Sequence, residues 1–202
     1  IVDRNEKIKH HPDSLELYDD LAVSYSKIGK DSLAIQLMLK KDSISPGMYT
    51  TMANLGTFYI HHGDSRTGKK YIEKAIEINP DAHFGREVIQ LELVKYALNK
   101  RDKGVIGLPL CEETPVWYYG RRKQNNPFNF YKHLVKTNIK VSEGVKGVEG
   151  MLRFGNFDSA VLLEALGDVL LEDNGGRDVN PPRNLATMAY LKAGMEAPKY
   201  NK

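Results

Sequence analysis

Two consecutive stretches decide the fold: YDDLAVSYSKIGKDSLAIQLMLKKDSISP at residues 18–46 and MANLGTFYIHHGDSRTGKKYIEKAIEINP at residues 52–80. They align without a gap at a spacing of 34 residues. The positions that agree in residue type are Leu21/Leu55, Ala22/Gly56, Tyr25/Tyr59, Gly29/Gly63, Ala34/Gly68, Met38/Ile72 and Pro46/Pro80. Lys41, which aligns with Ala75, breaks the type. A repeat of this length predicts one supersecondary unit per period.

Each unit is predicted to be a pair of antiparallel helices. The shared small residues allow the two helices to approach closely, and the shared leucine and tyrosine fill the space between them. Gly29 and Gly63 permit the positive φ that ends the first helix. Pro46 and Pro80 end the second helix, because proline lacks the N–H that a continuing helix needs.

The pattern continues beyond Pro80, but insertions interrupt it. Residues 82–100 show helical periodicity and predict the first helix of a third unit, whose second helix is expected at residues 142–154. A fourth unit follows, with a long Gly/Pro-containing linker at residues 172–183. The predicted organisation is a lead-in at 1–14, then one domain at 15–200 with units 15–48, 49–82, 83–98 plus 142–155, and 159–198, and an insertion at 99–141.

The repeat over residues 15–82 resembles the tetratricopeptide (TPR) family, which has a period of 34 residues. This resemblance implies an all-α fold, a right-handed solenoid of about four antiparallel helix pairs with an inserted lobe. ANLGTFYIH at 53–61, INPDAHFGRE at 78–87, GMLRFG at 150–155 and EALGD at 164–168 look like an uncharacterised bacterial group of such proteins. That likeness implies a periplasmic or cell-envelope setting, and a cytoplasmic one stays open.

In the TPR family the first helices line a concave groove that binds an extended peptide or a helix of another protein. The positions in this chain that match the groove are Asp19, Val23, Lys27, Ala53, Thr57, Ile60, His61, Glu87, Leu91 and Lys95. The resemblance therefore implies a protein–protein interaction scaffold. Of the five residues by which one subfamily holds chaperone tails, only Asn54 is present, so that function is rejected and Asn54 is expected to donate a hydrogen bond between helices.

The insertion carries an aromatic and basic cluster. Its residues are Trp117, Tyr118, Tyr119, Arg121 and Arg122. Such a cluster can be a binding patch for an acidic ligand, or its aromatics can fix a long loop to the solenoid. The first reading gives the alternative function, a small-ligand or glycan-binding protein that uses the junction of groove and insertion. Asn126 and Pro127 predict the start of a short helix that follows the cluster.

Catalytic, metal and nucleic-acid functions find little support in the sequence. His61 and His62 are adjacent on a helix and point about 100° apart, so they cannot readily share a metal. The single cysteine, Cys111, precedes two glutamates, which disfavours a thiolate. A net charge of +3 is too small to argue for nucleic acid. We therefore expect no enzyme activity, cofactor or metal, and an unrecognised enzyme is the third alternative.

Other properties concern membranes and assembly. No stretch is apolar for the 18 or more residues that a membrane-spanning helix requires. A homo-oligomer is possible. Because the sequence begins at Ile1 and not at a methionine, we expect that a segment, perhaps an export signal, preceded it.

Overall fold

The computed structural model describes residues 2–99, 101–102, 105–106, 108, 110, 129–172 and 181–199, and these residues are predominantly helical. The helices are α1 (Val2–His10), α2 (Leu15–Ser26), α3 (Asp31–Ile44), α4 (Tyr49–His61), α5 (Ser65–Ile78), α6 (Arg86–Asn99), α7 (Phe130–Lys136), α8 (Val141–Phe154), α9 (Ala160–Glu172) and α10 (Pro181–Glu196). Short 3-10 turns lie at Ala82–Gly85 and Ala197–Lys199. The all-α class predicted from the sequence is confirmed at this level.

Two very short strands interrupt the helical pattern inside the predicted insertion. Strand β1 (Arg101–Asp102) pairs antiparallel with β2 (Val105–Ile106). The helices that flank the insertion end at Asn99 and begin at Val141. The insertion boundaries expected at 99 and 141 therefore agree with the helix bounds.

The described chain divides into two compact units, Ile1–Leu91 and Glu92–Lys202. In the first unit, α2 packs against α3, α3 against α4, and α4 against α5, and α1 covers part of α2. Gly29 and Gly63 adopt φ of 71° and 93°, so both turns have the left-handed backbone that the sequence predicted. Asp64 caps α5 by accepting a hydrogen bond from the backbone N–H of Thr67 at 3.1 Å.

Close helix approach in the first unit depends on glycine. A Cβ added to Gly68 would lie 2.7 Å from the carbonyl oxygen of Gly56, and one added to Gly56 would lie 2.6 Å from Cγ1 of Ile72. These distances are shorter than van der Waals contact, so α4 and α5 meet at their backbones. The close approach predicted from the small residues is confirmed at this pair of helices.

The third predicted helix begins later than expected. Its expected start at residue 82 is wrong, because His83, Phe84 and Gly85 have φ of 49°, 60° and 74° and cannot continue a right-handed helix. Helix α6 begins at Arg86.

In the second unit, α9 is the central element, because α7, α8 and α10 all pack against it. A Cβ added to Gly167 of α9 would lie 2.6 Å from Cε1 of Tyr190, so this glycine admits the tyrosine ring of α10. The helix start predicted at Pro127 is wrong. Helix α7 begins at Phe130 and is capped by Asn129, whose side chain accepts a hydrogen bond from the N–H of Lys132. Asn126 and Pro127 lie outside the described residues.

Candidate functional site

Helices α2 and α4 are joined by side-chain hydrogen bonds between positions about one repeat apart. Asn54 Nδ2 donates to Asp19 Oδ1 at 3.0 Å, across 35 residues of sequence. Ser26 Oγ and His61 Nδ1 lie 3.2 Å apart, also across 35 residues. The helix-to-helix role predicted for Asn54 is confirmed. Its bond lies near one end of the α2–α4 contact and the Ser26–His61 bond near the other.

The same kind of contact joins α4 to the segment that contains the start of α6. Gln90 Nε2 donates to Thr57 Oγ1 at 3.1 Å, across 33 residues. Tyr49 Oη and His83 Nδ1 are 2.9 Å apart, across 34 residues. We call the side chains of α2, α4 and residues 83–91 that make or flank these bonds the first-helix face.

A buried lysine stabilises one end of this face. Lys41 Nζ donates to Asp19 Oδ2 at 2.5 Å and to Thr50 Oγ1 at 3.0 Å. The Lys41 side chain is 1% exposed, whereas that of Asp19 is 23% exposed. Because Asn54 takes the other oxygen, both carboxylate oxygens of Asp19 are occupied. The sequence signal for this residue was its departure from the repeat, since Ala75 holds the equivalent position.

A second polar cluster surrounds Glu87 in the first turn of α6. Its Oε1 accepts a hydrogen bond from Arg86 Nη2 at 2.9 Å and lies 2.9 Å from His83 Nδ1. Burial raises the pKa of Glu87, but the hydrogen bond with His83 and the charge of Arg86 outweigh it, so the pKa lies below its ordinary value of 4.5. Glu87 Oε2 is buried without a hydrogen-bond partner among the described residues. Burial and the Glu87 carboxylate raise the pKa of Tyr49 above its ordinary range, so the phenol stays protonated.

The turn before α6 exposes an aromatic ring. Phe84 is 99% exposed and lies between His83 and Gly85, the other residues with positive φ. Left-handed backbone at a bulky residue is strained, and such strain persists only where neighbouring contacts fix it. Here the contacts of His83 with Tyr49 and Glu87 hold the turn. Sequence reasoning missed this arrangement, because residues 82–85 were assigned to a helix.

The structure distributes the other predicted groove residues over several environments. Ala53, Glu87 and Leu91 are buried and offer little surface to a partner. Val23, Thr57 and Ile60 are half-buried, and Lys27 is exposed. That a partner contacts any of them stays a prediction.

His61 combines a polar contact with burial. The single hydroxyl proton of Ser26 is donated to Asp31 Oδ1 at 2.6 Å, so the Nδ1–H of His61 donates to Ser26 Oγ. Burial lowers the pKa of His61, and the Asp31 carboxylate offsets only part of this effect. The imidazole is therefore kept neutral near pH 7.

Lys95 belongs to the second unit. Its Nζ donates to Glu92 Oε1 at 2.7 Å, while Glu92 Oε2 lies 2.9 Å from His133 Nε2. The rings of Tyr96 and His133 are in contact, with centroids 5.7 Å apart. Lys95 thus takes part in a network that joins α6 to α7.

Two buried carboxylates of α9 hold the segments on either side of residues 111–128. Glu164 accepts a hydrogen bond from the N–H of Leu110 at 2.6 Å. Asp168 accepts from the N–H of Phe130 at 2.9 Å and from the hydroxyl of Tyr190 at 2.8 Å. The two acids are one helical turn apart and therefore share a face of α9. The sequence signal for them was acidic residues at i and i+4 inside an apolar helix.

The predicted insertion patch of Trp117, Tyr118, Tyr119, Arg121 and Arg122 lies outside the described residues, as does Cys111. Within the described part, no group of three or more histidine, cysteine or acidic side chains is arranged to hold a metal ion. None of the described helices is long and apolar enough to cross a membrane. No protein-family profile matches this chain, and no curated protein is significantly similar to it.

Proposed function

We propose that residues 15–91 form part of a TPR-like array whose first-helix face binds a segment of another protein. The observation that carries this proposal is the set of hydrogen bonds that join positions 33 to 35 residues apart on this face. Contacts at a constant sequence separation of one repeat arise when equivalent helices of successive units lie side by side. Such stacking makes a continuous surface from single helices.

The packing of the helix pairs supports the same proposal. Helices α2 and α3, and α4 and α5, pack as neighbours, and glycines with positive φ end α2 and α4. The contact at Gly56 and Gly68 brings one pair together at backbone distance. These features give each period the same internal design, so the array presents α2 and α4 in equivalent positions.

The chemistry of the first-helix face suits a partly apolar peptide or helix. Val23 and Ile60 are half-buried apolar side chains, while Glu16 and Lys27 are exposed charges of opposite sign. A peptide with apolar anchors and flanking charges could bury the first pair and satisfy the second. The stable polar contacts below this surface would hold it in shape before binding, which lowers the entropic cost of association.

The test is a selection of binding peptides from a random display library on the immobilised full chain, followed by affinity measurement. Reversal of the face charges in a Glu16→Lys, Lys27→Glu variant is expected to weaken the selected peptides at least about tenfold, a change of ~1.4 kcal/mol. A matched control reverses the same charges on α5, in Lys70→Glu, Glu77→Lys, where both residues are exposed.

The control should bind as the wild type does. Equal affinity of the face variant and the wild type, or equal losses in the face and control variants, would show that the peptides bind elsewhere. Failure of the selection to yield peptides above background would count against the function itself.

A further inference from the structure

Helix α10 has apolar side chains on two opposite sides. One side packs on α9 through Ala186, Ala189 and Ala193, which are buried. The other side carries Leu185, Met188, Leu191 and Met195, which are 54%, 65%, 65% and 76% exposed in the part of the chain that the structure describes. We call these four residues the α10 stripe. A helix that is apolar on both sides is normally covered on both.

The spacing of the stripe is that of a helix–helix seam. Positions 184, 188, 191 and 195 are separated by four, three and four residues, as in the a and d positions of a coiled coil. A single partner helix can therefore contact the stripe along its length, about 15 Å at 1.5 Å per residue.

Gly194 gives a second, independent observation. A Cβ at this position would meet no atom within 4 Å, so no neighbour in the described chain requires a glycine there. Glycine inside a helix lowers helix stability. Gly194 lies beside Met195 at the border of the stripe, where the absence of a side chain allows another backbone to approach.

We propose that the α10 stripe is a homodimer interface, occupied by α10 of a second copy in antiparallel orientation. The argument for a second copy is the order Leu–Met–Leu–Met, which is complementary to itself when reversed. About a two-fold axis near position 190, Leu185 lies opposite Met195 of the second copy, and Met188 lies within one residue of a position opposite Leu191. Each leucine then packs against a flexible methionine, as an isologous interface requires.

Charge does not oppose this pairing. The four stripe residues are uncharged, and Lys192, which borders them, pairs with Asp158 at 2.8 Å. Identical surfaces bring like charges together, so a neutralised border is a condition for self-association.

The area of the stripe sets the strength of the dimer. Four side chains exposed to this degree present on the order of 400 Å² per chain, which is below the roughly 800 Å² per partner of a standard stable interface. The dimer is therefore weak and dependent on concentration.

The experiment is sedimentation velocity of the full chain over a concentration series that reaches roughly millimolar, where weak dimers are populated. The wild type should shift from monomer to dimer. Two variants, Met188→Lys, Leu191→Lys and Met188→Glu, Leu191→Glu, should each be monomeric at every concentration, and an equimolar mixture of the two should form heterodimers. A control, Leu33→Lys, Leu39→Lys, changes comparably exposed leucines on α3 and should dimerise as the wild type does.

Circular dichroism of each variant establishes that it is folded. The orientation is tested in a Cys111→Ser background, where Leu185→Cys and Met195→Cys chains should cross-link with each other more readily than Leu185→Cys chains with themselves. A wild type that stays monomeric throughout would overturn the proposal. So would self-association that persists in both stripe variants, or a mixture that does not associate. If the stripe variants lose thermal stability while the wild type stays monomeric, a segment of the same chain covers the stripe, which also overturns it.

Discussion

Replacement of Gly68 by alanine tests how closely α4 and α5 approach. The added Cβ would lie 2.6 Å from Ile60 Cγ1, 2.7 Å from the carbonyl oxygen of Gly56 and 3.0 Å from the backbone nitrogen of Ile60. Two of these three atoms belong to the backbone and cannot rotate away. The helices would have to separate by roughly half an ångström to restore ordinary contact.

The expected magnitude combines two opposing effects. Overpacking of a close contact costs roughly 1–3 kcal/mol, while alanine is favoured over glycine inside a helix by about 1 kcal/mol. Gly68→Ala should therefore lower the free energy of unfolding by about 1–2 kcal/mol. The matched control is Gly194→Ala, which meets nothing within 4 Å and should raise it by about 0.5–1 kcal/mol.

The assay is urea unfolding followed by far-UV circular dichroism, at a low protein concentration where α10 self-association does not contribute. The urea dependence should be similar in the three proteins, so that changes in midpoint report stability. The reasoning would be refuted if Gly68→Ala were as stable as the wild type or more stable. In that case α4 and α5 would not meet at backbone distance.

Three further predictions concern buried polar groups. Asp19→Ala should destabilise the fold by about 2–4 kcal/mol because it leaves the charge of Lys41 buried and unpaired, whereas Lys41→Met should cost less than about 1 kcal/mol; thermal unfolding of both variants checks this order, and equal losses would contradict it. The pKa of His61 is lowered in the fold, so the unfolded chain binds more protons and stability falls as the pH drops below about 6.5. His61→Asn should show a smaller loss of stability between pH 7 and pH 5, and an unchanged pH profile would refute this. Glu164→Ala removes the acceptor for the N–H of Leu110 and should cost roughly 1–3 kcal/mol, while Glu164→Gln keeps an acceptor and should cost less; denaturant melts compare the two, and a glutamine variant as unstable as the alanine one would count against the bond.

The first unit was largely predictable because its signals are local. The period of 34 residues located α2 to α5, and their starts at Leu15 and Tyr49 coincide with the predicted unit boundaries. Glycine conformations at Gly29 and Gly63 followed from position in the repeat. The start of α6 was not predictable in this way, since residues 82–85 have helical periodicity but adopt positive φ, held by the contacts of His83 with Tyr49 and Glu87.

The candidate site was predicted less completely than the fold. The sequence located the first helices and therefore the groove positions, but it could not tell which side chains remain accessible. Ala53 and Leu91 became buried, and Asp19 became engaged by a lysine from the second helix of the same unit. Burial and partner choice depend on which helices meet, and a periodic pattern does not specify that.

The sequence by itself determined the helical class, the 34-residue period, the positions of small residues and the limits of the insertion. These follow from short-range properties: helix periodicity, the φ range of glycine and the missing N–H of proline. Only the tertiary structure decided that Lys41 pairs with Asp19, that Glu164 and Asp168 accept backbone N–H groups beside the insertion, and that the α10 stripe is exposed. Each of these depends on side chains distant in sequence that come together, or stay apart, only when helices pack, and the free energy of those contacts is not encoded in any single segment.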